Sequence, residues 1–337
     1  MRSPGVMGVG LHDAAVVTVG DLLAEAERAL AAAGVSDAGR EAAELYAAAV
    51  CGAASAAWLA RASQMPAAVR ARFDASVARR ANGWPQAYAA GRMNFRGHWL
   101  LVDGRVLIPR PETEGLVEHV MTWAQGRRDA AARLPVVADV GTGSGAIAIA
   151  LALEAPLAGV IATDVSADAL SVAIENAARL GAGERIGFRR GHLLEPLLGD
   201  MVDAVVSNPP YVATGEWDQL DAAVRDHEPR IALDGGPDGL REVRALVAQA
   251  RAALTAGGLL ALEVDARRSE ESAALAAAAG FESVEVGEDL FGRPRYVLGR
   301  QPGRKLYEGD QRTPTGLYMI IDKDHHRRWS RFMLLDY

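Results

Sequence analysis

The sequence predicts an α/β chain, a doubly wound and mostly parallel sheet carried behind a small N-terminal helical domain. Three observations carry that reading. Apolar runs at 136–140, 161–164, 202–207 and 259–264 alternate with stretches of helical spacing, the pattern of a parallel sheet covered on both faces. Runs at 281–286 and 295–298 read as a closing hairpin, which adds an antiparallel strand. Ahead of all these, residues 19–80 are rich in alanine, and Leu22, Leu23, Ala26 and Leu30 keep helical spacing.

In order along the chain, residues 1–19 read as a loose N-terminal extension, with His12 and Asp13 where a signal peptide would need its apolar centre. Residues 20–82 form the helical domain, punctuated by Gly34 and Pro66. Residues 83–115 carry Tyr88, Phe95, Trp99 and Leu100 around Gly91, Gly97 and Gly104, a linker with a β-hairpin. Pro109 and Pro111 then impose an extended approach to the core domain, 116–301. A helix is expected near 241–254, before Gly257-Gly258 and the strand that follows. Pro302-Gly303 open a C-terminal appendage, 302–337.

Composition narrows the class. A chain of 337 residues is long enough for two domains, and a lone cysteine, Cys51, excludes an internal disulfide framework. His98, His119 and His227 show no metal-ligand spacing, so no metal is expected. Glu154 interrupts the longest apolar run, so no membrane span is expected. A net charge of −7 argues against a broad nucleic-acid face. A cytoplasmic, monomeric enzyme without direct nucleic-acid binding is the expectation.

Two motifs carry chemistry. Asn208-Pro209-Pro210-Tyr211 follows the run 202–207 directly. Neither proline can donate to a ladder, so the strand stops there and the carbonyls beyond it are held outward. An asparagine supplies an amide acceptor and donor, and the tyrosine a flat ring. Together they suit gripping a planar –NH2 by both hydrogens while aiming its nitrogen at an electrophile; the plainer alternative is a proline turn. Upstream, the strand 136–140 breaks into Gly141-Thr142-Gly143-Ser144-Gly145 and then a helical run. Gly141, Gly143 and Ala146 also satisfy the loose dinucleotide fingerprint, so an NAD enzyme is a rival. Two acids favour a different ligand. Asp139 ends its strand where it can pair with an α-amino group, and Asp164 ends the next strand where it can bind both ribose hydroxyls. An amino-acid end and a ribose end describe S-adenosylmethionine, although Asp164 could instead cap a helix, a job Ser166 could do equally well.

At these residues the chain resembles class I methyltransferases, and more narrowly the HemK/PrmC family of protein-glutamine methyltransferases. The narrower likeness rests on Leu107-Ile108-Pro109-Arg110-Pro111-Glu112-Thr113-Glu114, on Asn208-Pro209-Pro210-Tyr211, and on the segment 228–239, which runs from Glu228-Pro229-Arg230 to Asp234-Gly235-Gly236-Pro237-Asp238-Gly239. Asp289-Leu290-Phe291-Gly292-Arg293-Pro294-Arg295 resembles the family's closing hairpin. The likeness spans residues 20 to 301. It implies a seven-stranded sheet, a substrate-recognition role for the helical domain, and methyl transfer from S-adenosylmethionine to the glutamine of the Gly-Gly-Gln motif in class I peptide chain release factors. An adenine amino group in DNA or RNA is the alternative acceptor, since it offers the same –NH2. The implied cofactor site comprises Asp139, Val140, Gly141, Thr142, Gly143, Asp164, Leu193 and Asn208. The implied substrate site comprises Asn208, Pro209, Pro210 and Tyr211. Asn208 and Pro209 would accept the two amide hydrogens and Tyr211 would pack on the flat amide, with no general base required.

The chain departs from the family pattern in three places. His192 stands where the family has an acid near the adenine, and Leu262-Glu263-Val264-Asp265 replaces Glu-Ile-Gly. Residues 306–318 resemble the opening strands of L,D-transpeptidase (YkuD) domains, but that family's histidine and Ser-x-Gly-Cys segment are missing. A translated remnant, a truncated fusion or a docking strand pair are the readings for this tail.

Overall fold

The computed structural model describes residues 17–53, 55–130, 133–197, 199–303, 320–324 and 332–335, the last two stretches as backbone. Among the described residues five helices come first: α1 (Val19–Ala32), α2 (Ala38–Val50), α3 (Ala56–Leu59), α4 (Ala67–Ala81) and α5 (Gln86–Ala90). Thr18 caps α1, its hydroxyl accepting from the Asp21 amide while the Asp21 carboxylate accepts from the Thr18 amide. The stripe Val19, Leu22, Leu23, Ala26 and Leu30 is buried against Leu45, Tyr46 and Phe73 of α2 and α4. The loose extension expected over 1–19 therefore stops short of Val19, whose side chain is fully buried. Residues 1–16 lie outside the described part.

The expected linker is more structured than its glycines imply. It holds α5 and then a hairpin of β1 (Arg92–Phe95) and β2 (His98–Leu101). Arg96 and Gly97 both take positive φ, the two-residue turn whose twist matches paired strands. Arg96 is held there by Glu114, which accepts its amide, and by Glu154, which accepts its guanidinium at 2.7 Å. Phe95 and Leu100 are buried in the same core as the main sheet, and Asn176 bonds both backbone groups of Leu101. The hairpin is thus docked. The helix α6 (Thr113–Ala130) begins three residues before the expected boundary at 116.

The remaining elements alternate: β3 (Val136–Val140), α7 (Ala146–Glu154), β4 (Gly159–Asp164), α8 (Ala167–Leu180), β5 (Ile186–Arg190), β6 (Val202–Ser207), α9 (Ala222–Arg225), α10 (Arg241–Ala253), β7 (Leu254–Glu263), α11 (Ser269–Ala278), β8 (Glu282–Glu288) and β9 (Pro294–Arg300). They build a seven-stranded sheet in the order β5-β4-β3-β6-β7-β9-β8, in which β9 alone runs antiparallel to its neighbours. The pleat sorts side chains to two faces. Val137, Ala204, Val206 and Ala261 face α6, α7 and α8, whereas Ala138, Val205, Leu260 and Leu262 face α10 and α11. Both faces are covered, which is why these strands read as unbroken apolar runs.

Among the described residues no helix is long and apolar enough to cross a membrane, and no cluster of histidine, cysteine and acidic side chains could hold a metal ion. The chain divides into two compact units at Gln301 and Pro302. In the second, β10 (Ile320–Asp324) pairs antiparallel with β11 (Phe332–Leu335). The segment 306–318, likened above to a transpeptidase, lies outside the described residues.

Since β9 completes the sheet before Gln301, a chain stopped at Gln301 should melt within about 2 °C of the full chain. A change of 1 kcal/mol would move a domain of this size by about 2–4 °C. Aggregation or a larger drop in a thermal melt would place the tail within the fold.

Candidate active site

Strand order reverses at β3, which lies between β4 and β6. Loops leaving the carboxyl ends of β3 and β6 must therefore diverge, and a crevice opens between them. The loop after β3 folds onto β4: the amides of Gly141 and Thr142 both donate to the Thr163 carbonyl at 2.9 Å. Gly143 has φ +56, and a side chain there would meet little but the Gly141 carbonyl at 4.0 Å, so the loop floor faces open space. Gly145 serves packing instead, because a Cβ would lie 3.0 Å from Ile149 and 3.2 Å from Ala173.

Asp164 stands at the end of β4 on the crevice wall. One carboxylate oxygen accepts from the Gly143 amide and the other from the Ser166 amide, both at 2.9 Å. Burial pushes its pKa up, against these amide bonds. The cap of α8 is Ser166, whose hydroxyl accepts from Ala169, so Asp164 is not spent as a cap. Each oxygen has a lone pair left for a ligand hydroxyl.

Asp139 takes a different position from the one expected. It is fully buried beneath the loop and does not line the crevice. Its Oδ2 accepts from the Thr142 hydroxyl at 2.6 Å and the Ala148 amide at 3.0 Å, while Oδ1 has no partner. Burial pushes its pKa up to about 7. Asp139 and Thr142 thus buckle the loop to the start of α7 from behind, and the direct contact with an α-amino group expected of Asp139 has no exposed surface to make it.

Beyond β6, the Ser207 hydroxyl donates to the Val140 carbonyl at 2.7 Å and ties the two strand exits together. Asn208 follows, with Nδ2 donating to the Thr113 hydroxyl at 3.2 Å; that hydroxyl donates to Glu263 at 2.7 Å. The two prolines end the strand, and the chain that follows is clasped from behind by residues 233–239. Val212 donates to the Leu233 carbonyl and Gly235 donates back to Val212. A Cβ at Gly235 would stand 2.6 Å from the Pro210 carbonyl, so this approach demands glycine. The motifs at 107–114 and 228–239 meet through buried Glu228, which accepts from the Ile108 amide and, at 2.6 Å, from Arg110.

The opposite wall includes Leu193, held at φ +49 while its carbonyl accepts from the Thr163 hydroxyl at 2.8 Å. A β-strand-to-turn leucine in the left-handed region is uncommon and marks a constrained wall. His192 lines the crevice too, its Nε2 3.0 Å from Glu242 of α10. An acid therefore does stand at this end, supplied by α10 through the histidine.

Val140, Gly141, Gly143, Asp164, Leu193, Asn208, Pro209 and Pro210 converge on one cavity of about 270 Å³. Asp139 and Thr142 support it from below. Tyr211 does not line it; burial raises its phenol pKa, and Glu263, Arg295 and Arg110 lie around it. Sequence reasoning missed Val165, Ile231 and Glu242, which reach the cavity. The Val165 position follows from adjacency to Asp164, but nothing local signals Ile231 or Glu242. A larger hollow, about 810 Å³, lies among α2, α5 and the β1–β2 hairpin and contains none of these groups.

Residues 21–91 match the family described as the PrmC N-terminal domain, and residues 127–225 match the methyltransferase small domain. A release factor glutamine methyltransferase of Moorella thermoacetica is 42% identical over 284 residues, covering 84% of this chain and 98% of the relative. One from Cereibacter sphaeroides is 40% identical over 282 residues, with the same coverage of each. Among solved structures, a methyltransferase from Pyrococcus furiosus covers 70% of this chain and 98% of its own at 18% identity, with a TM-score of 0.46.

The buried Asp139 makes stability depend on pH. Its folded pKa is above its ordinary value of 3.8, so the folded state keeps a proton that the unfolded chain loses. Its contribution is full below about pH 4, declines up to about pH 7, and is flat beyond. Asp139→Asn keeps an acceptor for Thr142 and Ala148 but cannot ionise. Urea unfolding at pH 5 and pH 8 should show a smaller loss of stability with rising pH in the variant; an unchanged difference would mean Asp139 is ionised throughout.

Proposed function

This chain belongs to the release factor glutamine methyltransferase family, and we propose that its crevice methylates the glutamine of the Gly-Gly-Gln motif in class I peptide chain release factors. It is an S-adenosylmethionine-dependent enzyme acting on a side-chain amide nitrogen. The observation that carries the site assignment is the setting of Asn208. Its Nδ2 is spent on Thr113, which leaves Oδ1 to accept, and both Asn208 and Pro209 line the crevice.

S-adenosylmethionine, when bound, supplies an electrophilic methyl group on sulfonium. The residues present fit it. Asp164 offers paired acceptors to ribose hydroxyls, the Gly141–Gly143 turn leaves open space, and Val165 and Leu193 give apolar walls to a flat base. Leu193 is fixed in place by Thr163.

A glutamine amide nitrogen is a weak nucleophile because its lone pair is shared with the carbonyl. Alignment therefore matters more than a base, and positioning can contribute about 7–11 kcal/mol. Asn208 Oδ1 and the Pro209 carbonyl accept the two amide hydrogens, which aims the nitrogen and stabilises positive charge as it develops on the N–H groups. The proton leaves to water afterwards. Residues 20–82 serve to recognise the release factor, and the enzyme works as a cytoplasmic monomer without direct nucleic-acid binding. An adenine amino group as acceptor is not favoured by the kinship with glutamine methyltransferases.

Asp164→Ala should weaken S-adenosylmethionine binding at least about tenfold, since it removes charge-assisted bonds worth about 1.5–3 kcal/mol each. Calorimetry finding wild-type affinity would take Asp164 out of the site. Asn208→Ala should lower turnover on release factor by about 10²–10³ with little change in cofactor affinity. Turnover near the parent's would reduce the Asn208–Tyr211 segment to a turn.

A further inference from the structure

Asn208 can serve as an acceptor only if the correct end of its amide faces the crevice. The two ends are nearly equal in size, so shape does not decide between them. Hydrogen bonding does. The Thr113 hydroxyl lies between two side chains, donating to Glu263 Oε2 at 2.7 Å and accepting from Asn208 Nδ2 at 3.2 Å. Thr113 is the first residue of α6, Asn208 follows β6 and Glu263 ends β7, so three separate elements meet here. Thr113 is 4% exposed and Glu263 1%, which leaves little room for water to substitute.

A hydroxyl has one proton, and an ionised carboxylate can only accept. With the Thr113 O–H donating to Glu263, its oxygen has only lone pairs to offer Asn208. The flipped amide would set Oδ1 against another acceptor, a buried clash of like partners. We propose that Glu263 and Thr113 are positioning residues, a two-bond relay that locks Asn208 with its carbonyl oxygen toward the substrate amide. The proposal rests on the reading of Asn208 as that acceptor.

The relay holds while Glu263 is ionised. A protonated Glu263 could donate to Thr113, freeing the hydroxyl to donate to Asn208 Oδ1, and the selection would be lost. Arg295 and Arg110 act on Glu263 to favour its charge and Glu112 opposes it, while burial pushes its pKa up to about 7. Tyr211 and Tyr296 also lie within its field. Turnover should therefore fall as pH drops through this range. Glu263→Gln presents either a donor or an acceptor to Thr113 and removes the selection without changing size.

The test measures kcat and KM for release factor, and cofactor affinity, in the full-length protein. Glu263→Gln and Thr113→Val should each lower kcat about tenfold or more with cofactor affinity held within about twofold, the scale of one well-placed bond lost. Thr113→Ser should restore turnover, and Glu263→Gln should flatten the acid limb of the kcat profile. In the double variant with Asn208→Ala, Glu263→Gln should cost little more, because its effect passes through Asn208. Turnover within twofold of the parent in Glu263→Gln would overturn the relay. So would a loss that adds in full to that of Asn208→Ala, or an acid limb that survives. A wild-type protein inert toward release factor would instead defeat the substrate assignment, and an Asn208→Ala variant of full activity would defeat the acceptor role.

Discussion

Parallel pairing of β3 with β4 on one side and β6 on the other is the constraint from which the rest of the molecule follows. Two neighbouring strands whose following helices pack on opposite faces must part at their carboxyl ends. Into that parting run a glycine turn and a double proline, neither of which can extend the sheet. The Ser207 hydroxyl bonded to the Val140 carbonyl holds the two exits together where they begin to separate. Gly141, Gly143, Asn208 and Pro209 of the cavity wall hang from this fork, so rigidity in the sheet becomes precision in that wall.

Carboxylates show how burial is turned to different ends. Asp203, at the opposite end of β6 from the crevice, is also buried, and burial pushes its pKa up. Arg133, the Val136 amide and Thr255 together outweigh that, so it ends below the usual range. Asp139, Asp164 and Glu263 lack such an ion pair within the crevice region and stay raised. Raised acids gathered about one crevice are a recognisable mark of a working site. The many exposed pairs, such as Arg40 with Asp37, sit in water and contribute little.

Segments far apart in the chain acquire their meaning from one another. Glu228 binds the backbone of Ile108 and the side chain of Arg110, so the extended approach to the core is anchored by a residue more than a hundred positions later. Gly235 is required by the Pro210 carbonyl pressed against it. The β1–β2 hairpin joins through Phe95, Leu100 and the bonds from Asn176, and its turn is pinned at Arg96 by acids of α6 and α7. What looks like a linker in one dimension is a packed part of the core in three.

The sequence by itself determined the sheet and the loops that leave it. Apolar runs long enough to be buried on both faces specify parallel strands, and glycine and proline mark where they stop, because these effects are local to a few residues. The places of Asp164, Gly143, Asn208 and Pro209 on the cavity wall were legible for that reason, as was the choice of Ser166 or Asp164 for one cap, whereas Leu193 came only with the family resemblance. Tertiary structure alone decided which face of each group meets the crevice. It moved Asp139 and Thr142 beneath the loop, set Tyr211 aside from the cavity, and brought Glu242 to His192. It also joined Thr113 and Glu263 to Asn208 from positions 95 residues before and 55 after. Such contacts depend on how helices and strands pack, and hydrogen-bond direction among side chains is settled only once all three partners are in place.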